Sequence, residues 1–169
     1  IPTLLSLLTP EHQKRFVQQA YHSSGNNSSQ WPGSYCWPDG FMRRVAQYGG
    51  GEPRMVVTPD YVQILNTSVQ SLMTQIHIGR EFEMSGAVPR LGDDVPRWYG
   101  ETIGYWDEDA LITWTSNVQS WTQHGSFEFS NQMQSVEIYT PRRDEAGEMI
   151  GMTHEVVLYD PAALVEPVR

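Results

Sequence analysis

The sequence predicts a mainly β fold: an antiparallel β-barrel or strongly curved sheet, with a short N-terminal helix and long aromatic loops. Three observations carry that expectation. From Met55 onward, apolar and polar residues alternate with period two rather than with a helical period. Polar clusters at 107–109 and 142–147 separate pairs of β-prone runs, as hairpin turns do. Many strands after one helix would leave adhesive edges in a flat sheet, so curling or closure follows. In a closed barrel about half of each strand's side chains point inward, where they fill a core or line a cavity.

The chain of 169 residues suits one domain with a single core. Residues 1–54 read as a helix and loop segment packed on the strands, and residues 55–169 as the barrel. Thr9-Pro10-Glu11 supplies a capping hydroxyl, a proline for the first helical turn and an acid for the positive end of the dipole, which predicts a helix over 10–21. Residues 22–51 are rich in Ser, Asn, Gly and Pro, and read as loop. Trp31, Tyr35, Trp37, Phe41 and Tyr48 pin that loop to the surface. Over 69–78 a strand places Leu72, Thr74, Ile76 and Ile78 on one face and Met73, Gln75 and His77 on the other. Runs 101–106 and 110–115 form a hairpin around Asp107-Glu108-Asp109, and runs 131–140 and 148–158 a second one around 142–147. Residues 116–130 read as a Trp- and Phe-containing connector.

A hydrophobic fraction of 39% with 11% aromatic residues excludes a disordered chain. Eleven Lys and Arg against twenty Asp and Glu give a net charge of −9, which repels phosphate backbones and anionic lipid, so no nucleic-acid partner is expected. No apolar run approaches the roughly 18 residues of a membrane-spanning helix, and no membrane insertion is expected. The single Cys36 excludes an internal disulfide framework, and no neighbouring Lys, His or helix start stabilises its thiolate, so it reads as structural or incidental. The histidines show no metal-ligand spacing, Gly49-Gly50-Gly51 is not followed by the Lys-Ser or Lys-Thr of a phosphate loop, and neither a metal nor a cofactor is expected.

Three titratable residues stand out. Glu137 shares a strand face with Met133, Ser135 and Tyr139, and a carboxylate facing a pocket could act as general acid or base. Parity alone does not say which face is inside. His154 alternates with Ile150, Met152, Val156 and Leu158, on the more apolar face of its strand. His124, in the aromatic connector, sits where loops at a barrel mouth commonly carry function. Aromatic residues crowd between Trp98 and Phe129, and Trp106, Trp114, Trp121 and Tyr139 are the expected walls of a pocket for a small apolar or aromatic ligand.

The stretch Gly100-Glu101-Thr102-Ile103-Gly104-Tyr105-Trp106-Asp107-Glu108-Asp109-Ala110-Leu111 has the form G-x-[ST]-x-G-x-W-x-x-D-x-L. With Trp121, Glu137 and a C-terminal Asp160-Pro161, it resembles an uncharacterised group of exported bacterial proteins. The sequence departs from that group at Glu108, where a turn glycine is usual, and at Ile138, where an arginine is usual. The resemblance implies a lipocalin-like all-β shape and a periplasmic or secreted location, and no established activity. Read structurally, Gly100 and Gly104 permit a bend or close approach, Trp106 fills core volume and Asp109 bonds to its turn.

The leading functional reading is an exported β-barrel protein that binds a small apolar or aromatic molecule. The second is a cofactor-independent isomerase, cyclase or lyase using Glu137, His154 or His124 as acid and base. The third is an accessory subunit of an extracytoplasmic assembly that docks through 31–48, with a homo-oligomer or another protein as partner.

Overall fold

A computed structural model describes residues 4–24, 36, 40–42, 54–66, 72–81, 96–122 and 128–169. Helix α1 spans Leu4–Leu7 and α2 spans Pro10–Ser24, starting where the proline predicts and running a turn further than expected. The Thr9 hydroxyl, expected to cap α2, instead donates to the Ala162 carbonyl at 2.8 Å, while the Thr9 amide donates to the Ala163 carbonyl at 2.8 Å. The start of the helix is thereby bolted to the far end of the chain. Gln13 closes α1 by donating to the Leu5 carbonyl, which also accepts the Leu8 amide at 3.2 Å, and to the Leu8 carbonyl just beyond the helix.

Among the described residues nine strands follow: β1 Arg54–Val57, β2 Tyr61–Asn66, β3 Leu72–Ile78, β4 Glu101–Asp107, β5 Ala110–Ser116, β6 Trp121–Thr122, β7 Glu128–Phe129, β8 Gln134–Arg143 and β9 Met149–Tyr159. Seven of them form one sheet in the order β1-β2-β3-β4-β5-β8-β9, and β6 and β7 form a small ribbon. Both expected hairpins are present. In the first, Asp107 pairs with Ala110 and Glu108 takes a left-handed conformation, φ 54°. In the second, Asp144 organises the turn by accepting the amides of Ala146 and Glu148 at 2.9 Å each, with Gly147 at φ 82°.

One feature departs from the expectation. The β3–β4 pair is parallel, with His77 beside Ile103, so this junction is a crossover and not a hairpin. The sheet itself is the strongly curved one expected, a curled half-barrel with β1 and β9 at its edges. The curl shows in the packing: Met55 of β1 and Met152 of β9, from opposite edges, both pack on the cluster of Val62, Ile76, Leu111 and Tyr139.

A larger apolar cluster occupies the other end of the concave face. Leu8, Phe41, Phe129, Met133, Leu158 and Leu164 meet there, with Phe16 of α2 and Trp121 of β6 against them. The glycines of the motif sit where the sheet is tightest. Gly100 has φ 72°, and a Cβ there would lie 2.6 Å from the Ser116 carbonyl oxygen; a Cβ on Gly104 would lie 2.9 Å from the Ile76 side chain.

Candidate functional site

Between the two apolar clusters the concave face is polar. From Met133, just before β8, the inward residues run on through Ser135, Glu137 and Tyr139; along β5 they run Leu111, Thr113, Thr115. Each strand therefore enters one cluster, crosses a hydroxyl- or carboxylate-bearing belt and emerges in or beside the other. Ladder register aligns the belt across strands: Gly104, Thr113, Glu137 and Val156 form one row, and Trp106, Leu111, Tyr139 and His154 the next.

Glu137 is 1% exposed, on the concave face. Ser135 donates to its Oε1 at 3.0 Å and Tyr139 to its Oε2 at 2.7 Å. His154 Nε2 lies 2.9 Å from the same Oε2. With two hydroxyls donating to it, the carboxylate acts as acceptor, and the imidazole fits by donating from Nε2. A buried carboxylate without such partners would be strongly destabilising.

Sheet geometry explains why these groups meet. Leu158 exchanges two backbone bonds with Val168 on the outer side of β9, at 2.8 and 3.0 Å. By alternation, Leu158, Val156, His154 and Met152 turn their backbone groups away from β8, so Tyr139 and His154 are a non-hydrogen-bonded pair. Such pairs bring side chains closest, with Cα atoms about 4.5 Å apart. The Tyr139 and His154 rings accordingly stack, with centroids 4.3 Å apart and planes 8° from parallel. Ring stacking and the Glu137 contact fix the imidazole in plane and direction. The His154 side chain is 25% exposed, and its Nδ1 has no hydrogen-bond partner among the described residues. One nitrogen is thus held by the interior and the other faces outward.

The expected residues divide as follows. Glu137, His154 and Tyr139 come together. Trp106 lies on their face, in the Tyr139 row, but is 39% exposed near the hairpin tip and does not fill the core volume expected of it. Trp114 belongs to the opposite, convex face, where its Nε1–H donates to Gln134 at 3.0 Å, so it shares no wall with Tyr139. Trp121 packs in the larger apolar cluster and against Trp98, at 5.0 Å between centroids. The four aromatics therefore do not surround one pocket. His124 lies outside the described residues, as does most of 31–48; Cys36 is exposed. Asp109 approaches Arg143 at 3.7 Å, an exposed ion pair that links the two hairpin ends.

Sequence reasoning missed the hydroxyl belt. Thr113 and Thr115 alternate with Trp114 and follow the parity of Leu111, which was the available signal; Thr102 and Thr115 join through their hydroxyls at 2.8 Å. It also missed the buried Glu101, bound by Arg80 at 2.6 Å. Asp160 was noted only as part of Asp-Pro. It accepts the Ser130 amide and hydroxyl at 2.7 and 2.6 Å and the Ala162 and Ala163 amides, so it closes the chain onto the β7–β8 turn. No metal-holding group of His, Cys, Asp or Glu is found among the described residues. No protein-family model, curated protein or solved structure matches the chain.

Proposed function

We propose that the chain carries out proton-transfer chemistry on a small molecule at the rim of the curled sheet, with His154 as the general base. A single observation carries this reading: the buried Glu137 carboxylate holds His154 Nε2 at 2.9 Å, while Nδ1 remains unpartnered on a partly exposed ring. In that tautomer Nδ1 offers a lone pair for a substrate proton, and Glu137 balances the charge that develops on the imidazole. Tyr139 and Ser135 hold the carboxylate. The reaction class is isomerisation, cyclisation or elimination, without a redox step.

The test is deuterium incorporation into 1,3-diketones and β,γ-unsaturated ketones in D2O, read by mass spectrometry. The parent chain is expected to accelerate exchange of at least one compound over free imidazole. Glu137→Gln and His154→Gln should each lower that rate by about 100-fold or more while the far-UV spectrum is unchanged. Exchange no faster than imidazole for every compound, or variants matching the parent, would overturn the reading.

Binding of a flat apolar ligand without turnover is favoured by a different observation, the half-exposed Trp106 in the row of Tyr139 and His154. A ligand spanning that row would quench Trp106 fluorescence, and Trp106→Leu would abolish the response. The motif resemblance adds export to the periplasm or beyond to this proposal, and fractionation of the producing cell checks it.

A further inference from the structure

Beyond the row of Tyr139 and His154 the concave face runs on to the rim of the curled sheet. Pro141 of β8 stands opposite Met152 of β9, two residues further along each strand and so about 6–7 Å from that row. Met152 packs inward on the smaller apolar cluster, and the pair forms an apolar step beside the partly exposed imidazole. Next on this face of β8 comes Arg143. The register slips between Arg142 and Arg143 because Ile150 is an extra residue on β9, while β8 keeps its alternation, so Arg143 shares the parity of Tyr139 and Pro141. Arg142 takes the convex face, where its guanidinium lies over Gly151: a Cβ on that glycine would be 2.8 Å from Nη2.

The Arg143 guanidinium is held loosely. Nη1 donates to the Gly147 carbonyl at 3.2 Å, and Nη2 stands 3.7 Å from the Asp109 carboxylate, beyond hydrogen-bond distance. Both side chains are at least half exposed, so solvent screens the pair and a competing anion displaces Asp109 at little cost. The arginine and the imidazole thus share one face of the rim, about 13 Å apart at the backbone, with the apolar step between them. An arginine side chain and a small molecule together close that gap.

We propose that Arg143 selects the substrate of this site: a small keto acid whose carboxylate docks on the guanidinium, whose apolar body lies over Pro141 and Met152, and whose acidic C–H faces His154 Nδ1. The proposal rests on the reading of His154 as general base. A guanidinium matches a carboxylate through two parallel N–H bonds, and this one has N–H groups without a partner among the described residues. Charge narrows the class further. With Asp109 beside the arginine and a net charge of −9, a doubly charged phosphate ester is repelled, whereas a monocarboxylate simply takes the place of Asp109. In the reaction the C–H bond breaks, its proton passes to Nδ1 and its electron pair moves onto the neighbouring carbonyl; the imidazolium then returns a proton to the same or the conjugated carbon.

Isothermal titration of the full chain tests the anchor, with 4,6-dioxoheptanoate, its methyl ester and its choline ester as probes, alongside deuterium exchange of the same three compounds. The acid is expected to bind about tenfold more tightly than the methyl ester and to exchange fastest, and the choline ester to bind no better than the methyl ester. Arg143→Gln should remove the preference and leave the affinity for the methyl ester unchanged, which a misfolded variant would not do. Arg143→Lys keeps the charge without the planar fork and should retain part of the preference. His154→Gln should abolish exchange and keep the preference. No binding of the acid at millimolar concentration, equal binding of acid and methyl ester, tighter binding of the choline ester, or a preference that survives Arg143→Gln each overturns the proposal, whatever becomes of the general base. An Arg143-dependent preference with no exchange above free imidazole overturns the base and the keto-acid chemistry, and supports Arg143 as a carboxylate anchor.

Discussion

Around Phe129, Met133, Leu158 and Leu164 the concave face is apolar and takes its residues from the helical segment, the β6–β7 ribbon, β9 and the C-terminal turn. A few residues further along β8, the same face holds Glu137 under Ser135, Tyr139 and His154. Glu137 is as buried as the apolar cluster, yet the two regions respond to loss in different ways. Apolar packing is a sum over many weak contacts, and removing one side chain forfeits its share and leaves a cavity. A hydrogen-bonded carboxylate is all or nothing, since its removal strands every donor aimed at it.

The largest single loss is expected in the apolar region. Phe129→Ala should destabilise by about 3–5 kcal/mol, because the ring is fully buried, packs edge-on to Phe41 and touches several segments. Urea denaturation measures it. A value below about 1.5 kcal/mol would mean that the cluster collapses to fill the space.

In the polar belt, Glu137→Leu should cost about 3 kcal/mol by stranding three donors. The comparison sharpens with a triple variant, Glu137→Leu with Ser135→Ala and Tyr139→Phe, which removes two of those donors as well. It should recover at least half the loss, where summed contact energies predict a further fall. A triple variant less stable than the single one would show that the belt behaves as ordinary packing.

The smallest effect lies outside both regions. Glu108→Gly relieves the left-handed conformation in an exposed turn and should raise stability by up to about 1 kcal/mol, read as a small increase in melting temperature. It gives the size of a purely local backbone effect, against which the two buried regions can be scaled.

Much of this contrast was legible in the sequence. Parity alone grouped Ser135, Glu137 and Tyr139 and put His154 on an apolar face, and the hairpin turns near 107–109 and 142–147 made β8 and β9 neighbours. Their meeting also required the register and the non-hydrogen-bonded phase of the ladder, which depend on the Asp144 turn and a bulge that periodicity does not reveal. Trp106, Trp114 and Trp121 were grouped by closeness in sequence. Trp106 pairs with the inward Leu111 whereas Trp114 pairs with Ile103 on the opposite face, and Trp121 belongs to a separate ribbon, so sequence proximity misled. The parallel β3–β4 junction was hidden because pairing direction is set by the path of a long connection and not by the strands it joins.

The bolt between Thr9 and residues 162–163 has a consequence for synthesis. Leu8 bridges Leu164, the Leu7 carbonyl accepts the Val165 amide, and Thr9 bonds to partners made more than 150 residues later. During synthesis α1 and α2 are made 153 residues or so ahead of these partners, and their apolar face stays unmatched until residues 162–165 have followed. Contacts of such long sequence separation are slow to close, so this junction is expected to form late in folding, with Leu8 and Phe16 available to chaperones in the interval.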